Sequence, residues 1–246
     1  MCNNTFMEIK DALIKYMDKS PAVAGDKTIN DLLIYTNELI EKNKQFNLTA
    51  ITDPEEIAVK HILDSMYLLA AMGKDKPASL ADAGAGAGLP GIVAAICNEN
   101  IKTTLIESNG KKVNFLKTVI DKVHLKNASV IQQRSEDASW ERHLRQKFES
   151  VTMRAFAEFK TAMELTSGLC AVKGKIYYFA SSDQLKEIRR EGKIYGELKI
   201  KFEDVYDYTL PLNIGKRHIV IIRKTGDTPD NFPRAYQRIK AKPLTF

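Results

Sequence analysis

The chain has 246 residues, 44% of them hydrophobic and 28% charged, and its 37 basic against 31 acidic side chains give a formal charge of +6. That balance excludes long disorder, and the length suits one sizeable α/β core with an appendage, while the modest positive excess favours polyanionic partners. Cys2, Cys97 and Cys170 are odd in number and lack C-x-x-C spacing, so no disulfide framework and no cysteine-rich metal site are expected; a signal-type apolar run and an apolar stretch of about 18 residues are also missing, so the expectation is a cytoplasmic protein without a membrane span.

The first seventy residues read as helices. Leu32, Leu33, Thr36, Leu39 and Ile40 recur at three- and four-residue intervals after a polar start at 26–31. A better-marked helix spans 54–72: Asp53 supplies an N-cap acceptor, Pro54 takes the first helical position and Glu56 the third. From Ser79 the period changes, and short apolar runs alternate with longer amphipathic ones, as in βαβ units of a parallel sheet. Strands are predicted at 79–83, 102–107, 128–132, 149–153, 171–180, 200–209 and 217–224, with helices at 90–99, 110–124, 156–168 and 182–191. The last two strands flank the turn Asn213-Ile214-Gly215 and read as an antiparallel pair ending the sheet. The expected fold is therefore α/β, a doubly wound, mostly parallel seven-stranded sheet of the Rossmann-like class I methyltransferase kind with an N-terminal helical extension. Its three parts are a helical extension at 1–72, a core domain at 73–226 and a basic tail at 227–246. Residues 216–246 concentrate the basic excess, with Lys216, Arg217, Arg223, Lys224, Arg234, Arg238, Lys240 and Lys242 against Asp227 and Asp230.

The segment Asp82-Ala83-Gly84-Ala85-Gly86-Ala87-Gly88 follows an apolar strand and opens a helix, so its glycines can turn sharply and let a ligand lie against backbone. Two cofactor classes compete for such a loop. A dinucleotide fingerprint needs a sixth-position glycine where this chain has Leu89, and Asp82 opposes a pyrophosphate. S-adenosyl-L-methionine has no phosphate and carries an ammonium and a sulfonium, so the same carboxylate favours it. Glu107, at the end of the next strand, is suited to a ribose diol but would serve either cofactor.

With those residues in view, the chain resembles the RsmG (GidB) family. Asn47-Leu48-Thr49-Ala50-Ile51 and Lys60-His61-Ile62-Leu63-Asp64-Ser65 are similar to its N-L-T-x-[IV] and R-H-[IL]-L-D-S segments. Gly84 to Gly91, ending in Leu89-Pro90-Gly91, resembles its most specific motif, the G-[ST]-G-x-G-[FL]-P-G loop. Lys111-Lys112 with Phe115-Leu116, then Arg134-Ser135-Glu136, then Arg154-Ala155-Phe156-Ala157 resemble its remaining signatures in the same order. Ala85 and Lys60 depart from the pattern, and the tail from Phe232-Pro233-Arg234 to Leu244 is similar to one found in only part of the family.

The resemblance implies an S-adenosylmethionine-dependent enzyme that methylates N7 of a guanine in 16S ribosomal RNA, free or within the small ribosomal subunit, as a monomer; a methyltransferase of another RNA, or an RNA-binding assembly factor on the same fold, are the alternatives. It implies that Asp82, Gly84, Gly86, Gly88, Leu89, Glu107 and Ser108 hold the cofactor, that Ser135 and Glu136 lie beside its adenine, and that Arg154 closes the site as a further cofactor-binding residue. Arg134 and Arg154, both at strand ends, are the candidate catalytic contacts to phosphate or the guanine edge, with no metal expected. Ser135 also reads as a helix N-cap. His61, Asp64 and Ser65 share one helix face and read as a supporting network, since N7 carries no proton to remove. Lys111 and Lys112 are candidate phosphate contacts.

Overall fold

The computed structural model describes residues 2–17, 25–189 and 192–244, and the side chains of all of these except 2–6 and 192–194. Its centre is one seven-stranded sheet: β1 Ser79–Ala83, β2 Lys102–Glu107, β3 Ala128–Gln132, β4 Phe148–Met153, β5 Cys170–Ala180, β6 Ile200–Leu210 and β7 Gly215–Lys224. The order is β3-β2-β1-β4-β5-β7-β6, with five parallel strands and β7 inserted antiparallel between β5 and β6. This is the class I methyltransferase sheet. Its strand order reverses between β1 and β4, both paired to one another, and a crevice opens outside their carboxyl ends at such a switch point.

All seven predicted strands form, most within a residue or two of their expected ends, because strands covered on both faces read as apolar runs. The helices are α1 Cys2–Met17 and α2 Asp26–Asn43, then α3 over 54–72, followed by α4 Gly91–Cys97, α5 Gly110–Val123, α6 Ser135–Ala138, α7 Phe159–Thr166, α8 Ser182–Ile188, α9 Gly192–Glu197 and α10 Tyr236–Ala241. Two of these, α9 and α10, were not expected. The helix predicted to reach residue 191 ends at Ile188, and positions 190–191 lie outside the described residues.

One face of the sheet carries a cluster in which Leu32, Leu33, Tyr35 and Leu39 of α2 and Ile62, Leu63 and Met66 of α3 pack with Ile92, Phe115 and Leu116. The extension is thus continuous with the core, and each such fully buried large side chain contributes about 1.5–3 kcal/mol. The other face carries a separate cluster built from Val151, Met153, Phe159, Met163, Leu185 and Phe232.

The helix over 54–72 begins as expected, with Asp53 Oδ1 accepting from the Glu56 N–H at 2.8 Å and Pro54 in the first turn. Its middle, Ile57–Leu63, is a π-helix before α-helix resumes at Asp64–Met72. His61, Asp64 and Ser65 are buried, as are Ile62 and Met66, so this helix is covered on more than one face. The helix expected at 156–168 starts only at Phe159. Ala155 sits at φ +50°, in the left-handed region that a helix cannot use, so 154–158 stay as a loop at the end of β4.

Candidate active site

The glycine loop is organised by two carboxylates. β1 ends at Ala83, and the N–H groups of Gly84 and Ala85 donate to the Ile106 carbonyl at 2.9 and 3.0 Å, continuing the contact with β2. Glu107 Oε2 accepts from the Gly86 N–H at 2.9 Å and its Oε1 from the Asn109 N–H at 2.8 Å. Asp82 Oδ2 accepts from the Gly91 N–H at 2.8 Å, an approach that requires glycine, since a Cβ at position 91 would stand 2.6 Å from that oxygen. Gly84 is equally constrained: it lies at φ +68°, and a Cβ there would meet the Phe156 ring at 2.2 Å. From behind, the Tyr35 hydroxyl of α2 donates to the Ala87 carbonyl at 2.8 Å.

A cavity of about 280 Å³ opens in front of this loop at the carboxyl ends of β1, β2 and β3. Of the predicted cofactor residues, Gly84, Glu107, Ser108, Ser135 and Glu136 line it, together with Lys112, Phe156 and Tyr236. Asp82, Gly86, Gly88 and Leu89 do not line it; Asp82, Gly88 and Leu89 are buried, whereas Gly86 is half-buried. Arg134 lines this cavity too, bonded to Glu136 Oε1 at 2.5 Å with its guanidinium 4.9 Å from the Tyr236 ring centroid, so it faces this cavity and not the neighbouring one. Ser135 is the first residue of α6, not its cap: the N-cap is Arg134, without a side-chain cap bond. Asn109 is the true cap at α5, accepting from the N–H groups of Lys111 and Lys112.

A second cavity, about 470 Å³, shares the wall Ala155-Phe156-Ala157 with the first and is otherwise lined by Lys60, Asp64, Arg154, Tyr178, Tyr208, Arg217 and His218, among others. Arg154 is its fixed point. Its Nη1 donates to Asp64 Oδ2 at 2.7 Å and the Lys60 carbonyl at 3.2 Å, and its Nη2 meets His61 Nδ1 at 3.1 Å. The Tyr208 hydroxyl donates to Asp64 Oδ1 at 2.6 Å, and His61 Nε2 lies 2.7 Å from Thr49 Oγ1. Because a guanidinium has only donors, His61 Nδ1 must accept, which leaves the proton on Nε2 for Thr49. Burial, and then the Arg154 charge, push the His61 pKa down to about 4, so the ring is neutral at neutral pH. Three segments that were separate motifs in the sequence meet in this one network.

Tyr208, Arg217 and His218 were missed as site residues. They face one another across the β6–β7 ladder, Tyr208 opposite Arg217 and Asp207 opposite His218, and nothing local marks such a pair. Tyr67 stacks on Tyr208 with ring centroids 4.2 Å apart, the Arg217 Nε is buried without a partner among the described residues, and His218 bridges Asp207 (2.7 Å) and Ser182 (2.9 Å).

The profile of the family described as GidB, rRNA small subunit methyltransferase G, matches residues 28–220, most of the chain. The chain belongs to the GidB family. Curated relatives carry the name ribosomal RNA small subunit methyltransferase G: one from Pelotomaculum thermopropionicum is 35% identical over 90% of this chain and 93% of its own length. Another, from Clostridium botulinum strain Eklund 17B, is 34% identical over 97% of this chain and all of its own length. A third, from Bacillus velezensis, is 30% identical over 93% and 95%. Among solved structures, a predicted O-methyltransferase from Agrobacterium tumefaciens superposes with a TM-score of 0.49 at 22% identity, covering 65% of this chain and 80% of that one. The GidB assignment stands without it.

The first cavity suits the GidB cofactor, S-adenosylmethionine, on three counts. Glu107 and Glu136 offer carboxylate acceptors at its wall. The Asp82 carboxyl behind the loop is 1% exposed, and its Oδ1 has no partner among the described residues. Burial pushes the Asp82 pKa up to about 7, the Gly91 N–H opposing, a site that a nearby cation would relieve. Among the described residues no group of three His, Cys, Asp or Glu side chains could hold a metal, and no helix is long and apolar enough to cross a membrane.

Proposed function

We propose that this chain methylates N7 of a guanine in 16S ribosomal RNA, as free RNA or in the small subunit, acting as a monomer in the cytoplasm. The observation that carries this reading is the pair of adjoining cavities, one walled by carboxylates and the glycine loop, the other cationic and aromatic, separated only by Ala155-Phe156-Ala157. S-adenosylmethionine, when bound, supplies a methyl group on a sulfonium and needs an acceptor with a free lone pair aligned to it. The division of labour follows. Gly84, Glu107, Ser108, Ser135 and Glu136 hold the cofactor, while Asp82, Gly86, Gly88 and Leu89 set the loop's shape and charge. Arg134 acts from the cofactor side through Glu136.

The chain's own work in the acceptor cavity is orientation. Guanine N7 carries an in-plane lone pair and no proton, so no general base is needed, and a neutral His61 locked between Arg154 and Thr49 is a positioning group. Arg154 is the catalytic residue of the acceptor cavity: held by Asp64, it offers its guanidinium to the base edge or its phosphate, and alignment supplies most of the rate. Of the parts 1–72, 73–226 and 227–246, the first supports the loop and the Arg154 network and adds Lys60 and Asp64 to the second cavity, the second supplies most of both cavity walls, and the third brings Tyr236 to the first cavity along with its basic side chains.

The test is transfer of labelled methyl from the cofactor to naked 16S RNA and to assembled small subunits, with the modified base mapped by chemical cleavage at N7-methylguanine. R154A should lose at least about a hundredfold of the transfer rate while binding cofactor within about twofold of wild type. Wild-type protein that leaves every RNA preparation unmethylated, or that methylates a different atom, refutes the reading.

A further inference from the structure

The C-terminal segment reaches the cofactor cavity from the far edge of the sheet. β7 is antiparallel to β5, pairing His218 with Ala180 and Arg223 with Lys175, so it ends at Lys224 on the edge opposite both cavities. Tyr236 nonetheless lines the cavity formed at the carboxyl ends of β1 to β3. The intervening residues make that crossing under tight control. Lys224 Nζ donates to Thr228 Oγ1 at 2.6 Å; the Arg145 guanidinium donates to the carbonyls of Thr228 at 2.9 Å and Phe232 at 3.0 Å; Trp140 Nε1 donates to the Pro233 carbonyl at 3.1 Å. Arg234 then grips Glu164 of α7 through two bonds of 2.6 and 2.7 Å, and that carboxylate is fully buried.

A segment that merely offered charge to RNA would need none of these attachments, each of which orders the backbone at an entropic cost. Just beyond them stands Tyr236, 39% exposed, with Phe232 and Ile239 buried on either side of it. Its ring lies against Arg134, which is itself bonded to Glu136. An aromatic ring at that point presents a flat, apolar surface beside two polar cavity walls, which suits a planar nucleobase better than a charged amino-acid end.

We propose that Tyr236 is a cofactor-binding residue whose ring walls the nucleoside half of S-adenosylmethionine, and that the anchored segment 225–235 is the strap that places it there. This rests on the methyltransferase reading above. The Arg145 and Arg234 contacts are positioning contacts; Tyr236 touches the ligand.

Calorimetric titration of the full chain with S-adenosylmethionine and with its demethylated product tests the assignment. Y236A should weaken both ligands about five- to tenfold, the range expected for one aromatic contact, while Y236F binds within about twofold of wild type and Y236L does not recover the loss. The ligand-free melting temperature of Y236A should match wild type, since the ring is half open to solvent, and its affinity for 16S RNA should not move. Wild-type affinity in Y236A, or recovery by Y236L, overturns the proposal and leaves the methyltransferase reading standing; a Y236F defect as large as that of Y236A overturns the stacking role in favour of the hydroxyl. Failure of the wild-type chain to bind either ligand overturns the underlying reading and this inference with it.

Discussion

At the scale of single residues, two buried titratable groups pull stability in opposite directions with pH. His61 is held neutral, its pKa pushed down to about 4 by burial and then by Arg154. Between about pH 4 and its ordinary value of 6.5, the unfolded chain binds a proton that the folded chain refuses, so this residue's contribution is lost as pH falls through that window. Asp82 does the reverse: burial raises its pKa to about 7, the folded chain keeps a proton that the unfolded chain has released above 3.8, and stability is lost as pH rises toward 7. The two partly cancel in the wild type. Single variants separate them. H61Q should remain comparatively stable as pH falls from 6.5 to 4, with a change in pH dependence on the order of 3 kcal/mol, and D82N, which keeps an acceptor for the Gly91 N–H, should lose the decline between pH 4 and 7. Urea titrations at half-unit pH steps read both slopes; parallel curves for wild type and H61Q would show that the histidine is not held neutral by its surroundings.

At the scale of elements, the last segment is attached by charge buried against α7. Glu164 has 0% exposure and Arg234 is its ion-pair partner, supplying two side-chain bonds as well as a backbone N–H at 3.2 Å. Such a pair adds little compared with well-packed apolar side chains, but removing one partner leaves a charge stranded. R234A should therefore cost about 3–5 kcal/mol, whereas the double variant E164L/R234L should recover most of it. Equilibrium unfolding measures both, and an R234A protein as stable as wild type would mean that Glu164 finds another donor. These elements also mark what the sequence leaves unread. α10 has only six residues and one buried position, Ile239, too short for an apolar period to register, and the π-helical turn at Ile57–Leu63 has no composition of its own. By contrast, the strands, the Asp53 cap and the glycine loop depend on neighbours within a few positions, and those the sequence displays.

At the scale of the whole molecule, the site assembles from residues far apart in the chain. Glu107, Gly84 and Ser135 could be placed because each sits at the end of a parallel strand, and parallel strands deliver their ends to one edge. The bonds from Arg154 to Asp64 and from Tyr208 to Asp64 join residues 90 and 144 positions apart, and no pattern within a window of sequence encodes them. Charge behaves in the same way. The basic excess at 216–246 looks like one RNA-facing tail, yet Arg217 lines the second cavity, Arg223 is paired with Glu203, Lys224 is buried on Leu198 and Thr228, and Arg234 is taken by Glu164. Exposed positive charge in this region reduces to Lys216, Arg238, Lys240 and Lys242. Arg238 and Lys240 belong to α10, the helix that begins at Tyr236 on the wall of the first cavity, which adjoins the second across Ala155-Phe156-Ala157, so an RNA strand crossing this side of the molecule would meet them. Each phosphate neutralised on single-stranded RNA contributes about −0.7 to the slope of log affinity against log salt. R238A/K240A should therefore flatten that slope for 16S RNA by about 1.4 and weaken binding most at low salt, while S-adenosylmethionine affinity stays at the wild-type value. Filter-binding isotherms between about 50 and 300 mM salt would decide it, and an unchanged slope would move the RNA path away from the tail and onto the Lys60, Arg154 and Arg217 side of the cavity.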